Sequence, residues 1–450
     1  MKGKFKNSLK SKLNISKLSV LVYWLIFLLL ACLFFTNDFG LVDIHKTSII
    51  TAVAIDTEEG EVLVTAEIAV PQPSQSGENI VYTQVQGSGL TIADALNEIN
   101  AKTGFYPKLQ FCKLILIGES CRDKQLFRVL GCFYRKNYSE LTALVAMCEG
   151  NAYDMLAQKS NVSDMTSEAI RKVLSDEIEK SANATTSNLK SIAAMEFSHS
   201  RACYMPYVEV NNQGESQLGG NGDNVGGEGE NNGSQGGSGG GSQSGQGGEG
   251  GQSGQSQQGG GQSGQSQQGG GQSGQSQQGG EGPVEFTARK TAYFSDGRFI
   301  GVLDDRQAFA LAVLENDIRL AVLPCDADGV HYTLGLKGVK CAADLKVKDG
   351  VPQLKISFKA NARIQGARVK VDLQKIISDD VVSASVLDGA KAEMRARFEG
   401  LINVVRETNS DLIGVRELLY KKNYKYFEAF QNDILQRMTV AYDIKIDSVS

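Results

Sequence analysis

The sequence predicts an α/β protein of the mixed α+β class, built as three small mixed-sheet domains that follow one N-terminal membrane anchor. Short β-branched runs alternate along the chain with stretches whose apolar residues recur at helical spacing. The hydrophobic fraction of 41% is enough to form buried cores. Thirty of the 50 Gly residues lie in 211–283, so the rest of the chain has ordinary globular composition and is neither collagen-like nor wholly disordered.

The first element is a transmembrane anchor or lipoprotein signal over 18–35. These 18 residues carry no charge, and a helix of that length spans about 27 Å, close to the roughly 30 Å of a hydrocarbon core. The preceding basic region, 1–17, holds six lysines and no acidic residue, which the positive-inside rule keeps in the cytoplasm. We therefore expect the body of the protein on the outer side of a membrane.

Two mechanisms of attachment remain open. Leu29, Leu30, Ala31 and Cys32 resemble a lipoprotein processing box, which makes Cys32 the candidate lipid-attachment residue. However, Leu30 stands where a smaller residue is usual, and the apolar run continues through 33–35, as it would in an uncleaved signal anchor. A fully removed signal peptide is less favoured, because no small-x-small cleavage site follows.

The first domain is predicted over 38–150. It opens with a hairpin of two β-branched runs, 48–56 and 62–70. Pro71 and Pro73 should end its second strand, because proline donates no hydrogen bond to a ladder. The later elements are predicted in order along the chain: a helix capped by Thr91, an apolar strand over 109–118 covered on both faces, a further helix and a strand over 141–147.

The second domain is predicted over 151–210 plus 284–320. Its elements are a helix over 162–179, a strand over 204–210 and a hairpin over 291–303 that turns at Asp296 and Gly297. The Gly/Ser/Gln-rich insert at 211–283 contains three identical copies of GQSGQSQQGG, and such a composition predicts a disordered coil. Closing so long a loop costs only about 2.4 kcal/mol more than closing a short one. The insert therefore fits either a hairpin or a link between two domains.

The C-terminal α/β domain is predicted over 321–450. Its strand candidates are 330–336, 343–347, 354–361 and 368–373, with Asp349 and Gly350 turning the middle pair. A helix over 390–407 has one apolar stripe, and a second helical region over 411–436 should break near Asn423. Residues 439–447 alternate well enough to form a closing strand.

Residues that could carry catalysis are scattered. His45, His199 and His331 are far apart in the sequence, and no cluster of Cys and His with zinc-ligand spacing occurs. The seven cysteines after Cys32 include no CxxC pair and several lie in apolar runs, so small buried side chains are favoured over disulfides. We predict no catalytic, cofactor or metal site, and hence no enzyme.

Several motif matches have simpler explanations. A GxSxG string at 236–240 falls inside the insert, and Gly87 and Gly89 lack the third glycine of a dinucleotide fingerprint. Asp326 and Asp328 before Gly329 lack the other ligands of a calcium loop and indicate a turn. The mildly acidic net charge of −5 offers no footprint for nucleic acid.

A basic and aromatic cluster lies near the C-terminus. It consists of Arg416, Lys421, Lys422 and Lys425 interleaved with Tyr420, Tyr424, Tyr426 and Phe427. Such a cluster could face a membrane or a partner protein. We favour an amphipathic helix with solvated lysines and buried aromatic rings.

Ordered strings outside the insert resemble the Ger(x)C family of spore germination proteins, the C subunits of nutrient germinant receptors. They are IITAVAID at 49–56, GSGLTIADAL at 87–96, KLILIG at 113–118, TAYFSDGRFIGVLDDRQAFAL at 291–311 and SDLIGVRELLYKKNYKYFEAF at 410–430. The resemblance implies a non-enzymatic protein of three α/β domains, attached to the inner membrane of the spore or to the cell membrane. It also implies assembly with two integral membrane subunits. The lipidated cysteine of the family would fall near Asp38, six positions past Cys32.

The predicted function is therefore a membrane-anchored, non-catalytic subunit of a spore nutrient germinant receptor, which permits germination by assembling with integral membrane subunits. No cofactor is expected, and a nutrient germinant would be an indirect partner. The alternative is a solute-binding lipoprotein of a transporter, which would share the anchor and add a deep cleft between domains.

Overall fold

The computed structural model describes residues 20–32, 47–74, 77–104, 106–135, 139–160, 162–163, 165–174, 185–211, 284–315, 318, 320–368 and 382–449. Residues 20–32 are helical, and most of their side chains are exposed. Within these ranges no helix combines the length and apolar character needed to cross a membrane. The basic region 1–17, residues 18, 19 and 33–35 of the predicted anchor, and all of the insert after Asn211 lie outside the described residues. The membrane anchor and the disordered insert therefore stay predictions.

Nine strands form the first sheet, in the spatial order β3-β2-β1-β5-β6-β7-β8-β9, with β4 beside the start of β1. Its centre is parallel, because β1, β5, β6 and β7 run in one direction, and both flanks are antiparallel. The strands are β1 (Thr47–Glu58), β2 (Glu61–Ser74), β3 (Gly77–Gly89), β4 (Tyr106–Lys108), β5 (Leu114–Ile117), β6 (Leu144–Cys148), β7 (Ala202–Asn211), β8 (Glu285–Ser295) and β9 (Arg298–Leu303).

Helices cover both faces of this sheet. On one face lie α1 (Ile92–Thr103), α2 (Leu126–Leu130) and α5 (Leu189–Glu196), and on the other lie α3 (Ala152–Ala157) and α4 (Thr166–Leu174). Strand side chains alternate between the two cores, so that Ile115 and Ile117 face the first and Leu114 and Leu116 face the second. Coverage on both faces explains why the central strands are continuous apolar runs.

The second sheet has four strands in the order β10-β11-β12-β13. The first three form an antiparallel meander, and β13 lies parallel to β12. The elements of this half are α6 (Asp305–Leu314), β10 (Leu320–Ala327), β11 (Val330–Lys348), β12 (Val351–Arg368), α7 (Ala384–Thr408), α8 (Val415–Lys422), α9 (Phe427–Phe430), α10 (Ile434–Arg437) and β13 (Thr439–Ser448).

One hydrophobic core joins the second sheet to the far edge of the first. The predicted apolar stripe of α7 is buried in it, including Met394, Phe398 and Val405. Seven consecutive residues of α6, from Ala308 to Leu314, are buried in the same core, together with Tyr204 and Tyr293 of the first sheet. Burial around nearly the whole circumference of α6 places this helix between the two halves.

The mixed α+β class is confirmed, and the number of sheets differs from the expectation. Among the described strands there are two sheets rather than three, because β7, β8 and β9 extend the first sheet instead of forming their own. The boundaries of the three predicted domains stay a prediction.

Two local predictions were wrong. The strands predicted over 330–336 and 343–347 are one long strand, β11, and the strand predicted over 354–361 is part of the longer β12. Bulges near Thr333 and between Lys337 and Lys340 let β11 and β12 continue as one ladder. The strand predicted over 368–373 lies, apart from Arg368, outside the described residues. Strand β2 runs through Pro71 and Pro73 to Ser74. Pairing of β2 with β1 ends at Ala69, and beyond it β2 pairs with β3 alone. A strand with one unpaired side tolerates a residue that lacks an N–H.

The hairpin turns follow the sequence signals. Pairs of consecutive residues with positive φ lie at Glu59–Gly60, Asp296–Gly297, Asp328–Gly329 and Asp349–Gly350. Two positive φ angles in a two-residue loop are the type I′ geometry that matches strand twist. The predicted turns at Asp296–Gly297 and Asp349–Gly350 are confirmed, and so is the interpretation of Asp326 to Gly329 as a turn.

The insert interrupts a hairpin. Strands β7 and β8 are antiparallel neighbours whose pairing begins with Asn211 opposite Glu285. Of the two arrangements that the sequence left open, the structure has the hairpin.

Candidate functional site

A cleft in the folded body lies where the β1–β2 turn meets the N-terminus of α1 and the helix α2. We call it the α1–α2 cleft; its volume is about 700 Å³. Its wall is mainly apolar and includes Ile55, Val62, Leu90, Ile92, Phe127 and Val129, and its cations are Lys124, Arg128 and Arg135.

The GSGLT string builds one wall of this cleft. A Cβ atom on Gly87 would lie 2.3 Å from the Ala95 carbonyl oxygen, and one on Gly89 would lie 2.5 Å from the Asp94 Cβ. Glycine at both positions therefore lets β3 approach α1 closely. Thr91 then starts α1 with a capping box, in which its hydroxyl accepts from the Asp94 N–H and the Asp94 carboxylate accepts from the Thr91 N–H.

Exposed apolar side chains continue from the cleft onto the neighbouring surface. Leu90 is 78% exposed and Phe197, just after α5, is 81% exposed. Phe127 joins them, because its ring packs 5.3 Å from Phe197 and stacks 5.5 Å from Tyr134. The Tyr134 hydroxyl donates to the Leu189 carbonyl, which fixes the aromatic group on α5.

A buried carboxylate ties the strand ends together behind the cleft. Asp56, at the end of β1, accepts hydrogen bonds from the Ala152 and Tyr153 N–H groups, both at 2.9 Å, and from the Ser120 hydroxyl. Burial raises the pKa of the Asp56 carboxyl, and these hydrogen bonds oppose part of the rise. Gly118 leaves the necessary space, since a Cβ there would lie 1.9 Å from Asp56 Oδ1. Asp56 is thus a structural cap for α3 that the sequence analysis missed; an acidic residue directly after a buried strand was its only signal.

The predicted basic and aromatic cluster joins the C-terminal helices to the loop between α5 and β7. Tyr420 stacks on the His199 ring at 3.8 Å, and Phe427 meets the same ring edge-on. Nearby, the Ser200 hydroxyl donates to Asp411, which caps α8 by accepting from the Val415 and Arg416 N–H groups.

The favoured interpretation of this cluster is correct for the lysines and wrong for part of the rings. Lys421, Lys422 and Lys425 are exposed, and the first two pair with Glu417 and Asp344. Tyr426 and Phe427 are partly buried, whereas Tyr424 is 67% exposed and Tyr420 is 39% exposed. Tyr420 packs on His199, which is itself an exposed ring of the other half, and Tyr424 meets Tyr420 edge-on. Neither of these two tyrosines enters the core.

The remaining candidate residues do not converge. Cys32 ends the helical stretch 20–32 and is exposed. His331 lies 2.8 Å from Asp326 in the β10–β11 turn, far in the sequence from His199. His45 and the string 236–240 lie outside the described residues. In the described ranges no three His, Cys, Asp or Glu side chains form a group that could hold a metal ion.

The cysteines behave as small core residues. Six of the seven after Cys32 are buried, and Cys132 is half-buried beside the cleft. Burial raises the pKa of Cys112 and Cys121 to about 12, so both thiols stay protonated at neutral pH. A protonated buried thiol is a poor nucleophile.

Two family models match the chain in order. One, described as "Spore germination protein N-terminal domain", matches residues 41–210, and the other, "Spore germination B3/ GerAC like, C-terminal", matches 289–449. The unmatched residues between them contain the insert.

The chain is also similar to one solved structure, the "Crystal Structure of the GerBC protein". The identity is 12% and the TM-score is 0.47, over 89% of this chain and 97% of that one. No curated protein matches the chain. Because the two models describe the N-terminal and C-terminal parts of one family and together match more than two thirds of the residues, the chain belongs to the Ger(x)C family of spore germination proteins.

Proposed function

We propose that this protein is the C subunit of a nutrient germinant receptor, that it acts by assembling with integral membrane subunits, and that it catalyses no reaction. The observation that carries the proposal is the ordered match of both family models to the two halves of the chain. The apolar segment at 18–35 would hold it at the spore inner membrane or the cell membrane, with the body on the outer side.

The polar groups of the described residues support a role in assembly. Of the buried acids in the described ranges, Asp56 and Asp411 serve as helix caps, and Glu67 accepts hydrogen bonds from the Thr51 and Ser167 hydroxyls. Burial raises the pKa of buried thiols such as Cys112, which keeps them protonated at neutral pH. The α1–α2 cleft presents cations on apolar walls, which suits contact with a polypeptide better than general acid–base chemistry.

Deletion and recovery from spore membranes test the proposal together. We expect spores that lack the protein to lose the response to the nutrients of one receptor, and a tagged full-length chain to co-purify with polytopic membrane proteins from detergent extracts. The control is germination by a non-nutrient trigger, which should be unchanged. Normal nutrient germination of the deletion strain, with a chain that purifies alone, would refute the proposal.

Calorimetry with nutrients distinguishes the receptor subunit from the alternative, a solute-binding lipoprotein. Tight direct binding of a nutrient to the purified chain, with no membrane protein in the extract, would favour a solute-binding lipoprotein. We expect calorimetry to detect no heat of nutrient binding to the purified chain.

A further inference from the structure

We infer that the α1–α2 cleft is the docking site for an acidic amphipathic segment of a partner polypeptide. The inference rests on the proposed function and deepens it, because it assigns the surface through which this subunit assembles. It draws on three features of the cleft: its fixed walls, its exposed apolar side chains and its charge.

The walls are fixed before anything binds. Ile55, Ile92 and Val129 belong to the buried core and also line the cleft. The capping box at Thr91 and the close approach of Gly87 to Ala95 hold the α1 wall against β3. A preformed surface loses little conformational entropy on association, which favours a specific interface.

Leu90 lies between two residues that have structural roles. Gly89 packs closely against α1, and Thr91 caps the N-terminus of α1. The Leu90 side chain itself is 78% exposed at the rim. The partly buried ring of Phe127 and the exposed ring of Phe197 add aromatic surface beside it. Exposed apolar side chains that cluster on a surface mark interaction sites, and aromatic residues such as Phe are enriched in protein interfaces.

The charge of the cleft identifies the class of partner. Lys124, Arg128 and Arg135 line it, no carboxylate does, and none of the three cations forms an ion pair within the described ranges. Elsewhere many cations are paired, as in Lys102–Glu98 and Arg306–Glu393. Acidic residues border the cleft, among them Glu59 beside Gly60, Asp94 in the Thr91 cap and Asp123 beside Lys124. The positive charge is therefore confined to the lining, which favours an occupant whose carboxylates reach into the cleft.

Concavity favours a polypeptide over a bilayer or a small solute. A cavity of about 700 Å³ can admit side chains from one face of a helix or strand, whereas a membrane surface is flat. Small-molecule sites use polar groups that converge inside the pocket, and here the cations include exposed side chains at the rim. The occupant is therefore a segment with apolar residues on one face and carboxylates beside them.

Variants of the full-length chain in spores test the inference. We expect Leu90→Ser and Arg128→Glu each to reduce recovery of the co-purifying membrane proteins by at least about tenfold, and Arg128→Lys to restore it. The matched controls are Val351→Ser and Lys348→Glu, which alter an exposed apolar side chain and an exposed cation at the β11–β12 turn. Both should bind normally. The abundance of each variant in spore membranes shows that it folds, and Arg128→Glu keeps the test valid if Leu90→Ser is unstable.

Cross-linking identifies the occupant. With p-benzoylphenylalanine in place of Leu90, we expect a cross-linked partner peptide that contains carboxylates and apolar residues at helical or strand spacing. A cross-link to lipid, to a second copy of this chain or to a basic peptide would overturn the inference, as would normal recovery of both cleft variants. If even the unaltered chain recovers no membrane protein, the proposed function fails instead.

Discussion

The carboxylate of Glu417 on α8 accepts a hydrogen bond from the backbone N–H of His199 at 3.0 Å and lies 2.8 Å from His199 Nδ1. The two residues are 218 positions apart, and they connect the loop that precedes β7 with the C-terminal helices. Lys421 pairs with the other carboxylate oxygen, and Tyr420 covers the His199 ring. This contact therefore stabilises the junction between the two halves.

Replacing Glu417 by Ala should destabilise the protein by about 0.5–1.5 kcal/mol, because the hydrogen bonds to His199 and the pair with Lys421 are exchanged for bonds to water. Denaturant unfolding of the two purified proteins measures the difference. Glu428→Ala is the matched control, since Glu428 is an exposed acid on the adjacent α9; its effect should stay within about 0.5 kcal/mol. Equal stabilities for the two variants would contradict the role assigned to Glu417.

The same contact should weaken in acid. Burial raises the pKa of the Glu417 carboxyl, but the hydrogen bonds from His199 and the pair with Lys421 outweigh it and lower the pKa from 4.5 to about 2. A depressed pKa in the folded state means that the stabilisation is complete above pH 4.5 and disappears as the pH falls toward 2. We expect the Tm difference between the unaltered chain and Glu417→Ala to shrink over that interval. A Tm difference that stays constant from pH 7 to pH 2 would show that the charge of Glu417 contributes nothing to stability.

Gly118→Ala should disrupt the Asp56 cap. The new methyl group would overlap Asp56 Oδ1, and the resulting strain costs about 1–3 kcal/mol. Gly366→Ala on β12 is the control, because nothing lies within 4 Å of the added Cβ. Thermal melts should show a lower Tm for Gly118→Ala alone. Equal melting temperatures for the two variants would mean that the Asp56 site relaxes without cost.

The insert should be dispensable for folding. Replacing residues 212–283 by Asn-Gly leaves a three-residue connection, Asn, Gly and Val284, between the paired residues Asn211 and Glu285 of the β7–β8 hairpin. This change should raise stability by at most about 2 kcal/mol. Denaturant unfolding and nutrient germination measure the result. A scrambled insert of the same length and composition is the control. Loss of the folded state on replacement would show that the insert has a structural role.

The segment at 18–35 should be the membrane attachment. Leu25→Arg combined with Leu28→Arg adds about 2.5–3.5 kcal/mol per arginine to membrane insertion, so the protein should leave the membrane fraction after a carbonate wash. Leu141→Arg, an exposed position of the body, is the control. Retention of the double variant would contradict the prediction. Cys32→Ala with fatty-acid labelling then separates lipidation from an uncleaved anchor, because only lipidation requires that thiol.

The sequence predicted the elements whose signals are local. The capping box at Thr91 and the Asp-Gly turns depend on a few neighbouring residues, and the structure has them where they were expected. The continuity of strands β11 and β12 was missed, because a β-bulge interrupts the alternation of apolar residues and resembles the end of a strand. The α1–α2 cleft could not be predicted, since its walls come from β1, α1 and α2, which only the folded sheet brings together. The same holds for Glu417 and His199, which no spacing rule relates.

The pairing of Asn211 with Glu285 has a practical consequence. Because the chain leaves β7 and returns to β8 at adjacent points, a compact reporter whose own termini lie close together could occupy this position without spreading the strands. A fluorescent domain placed between them would report the location of the subunit in living spores while both chain ends stay untouched.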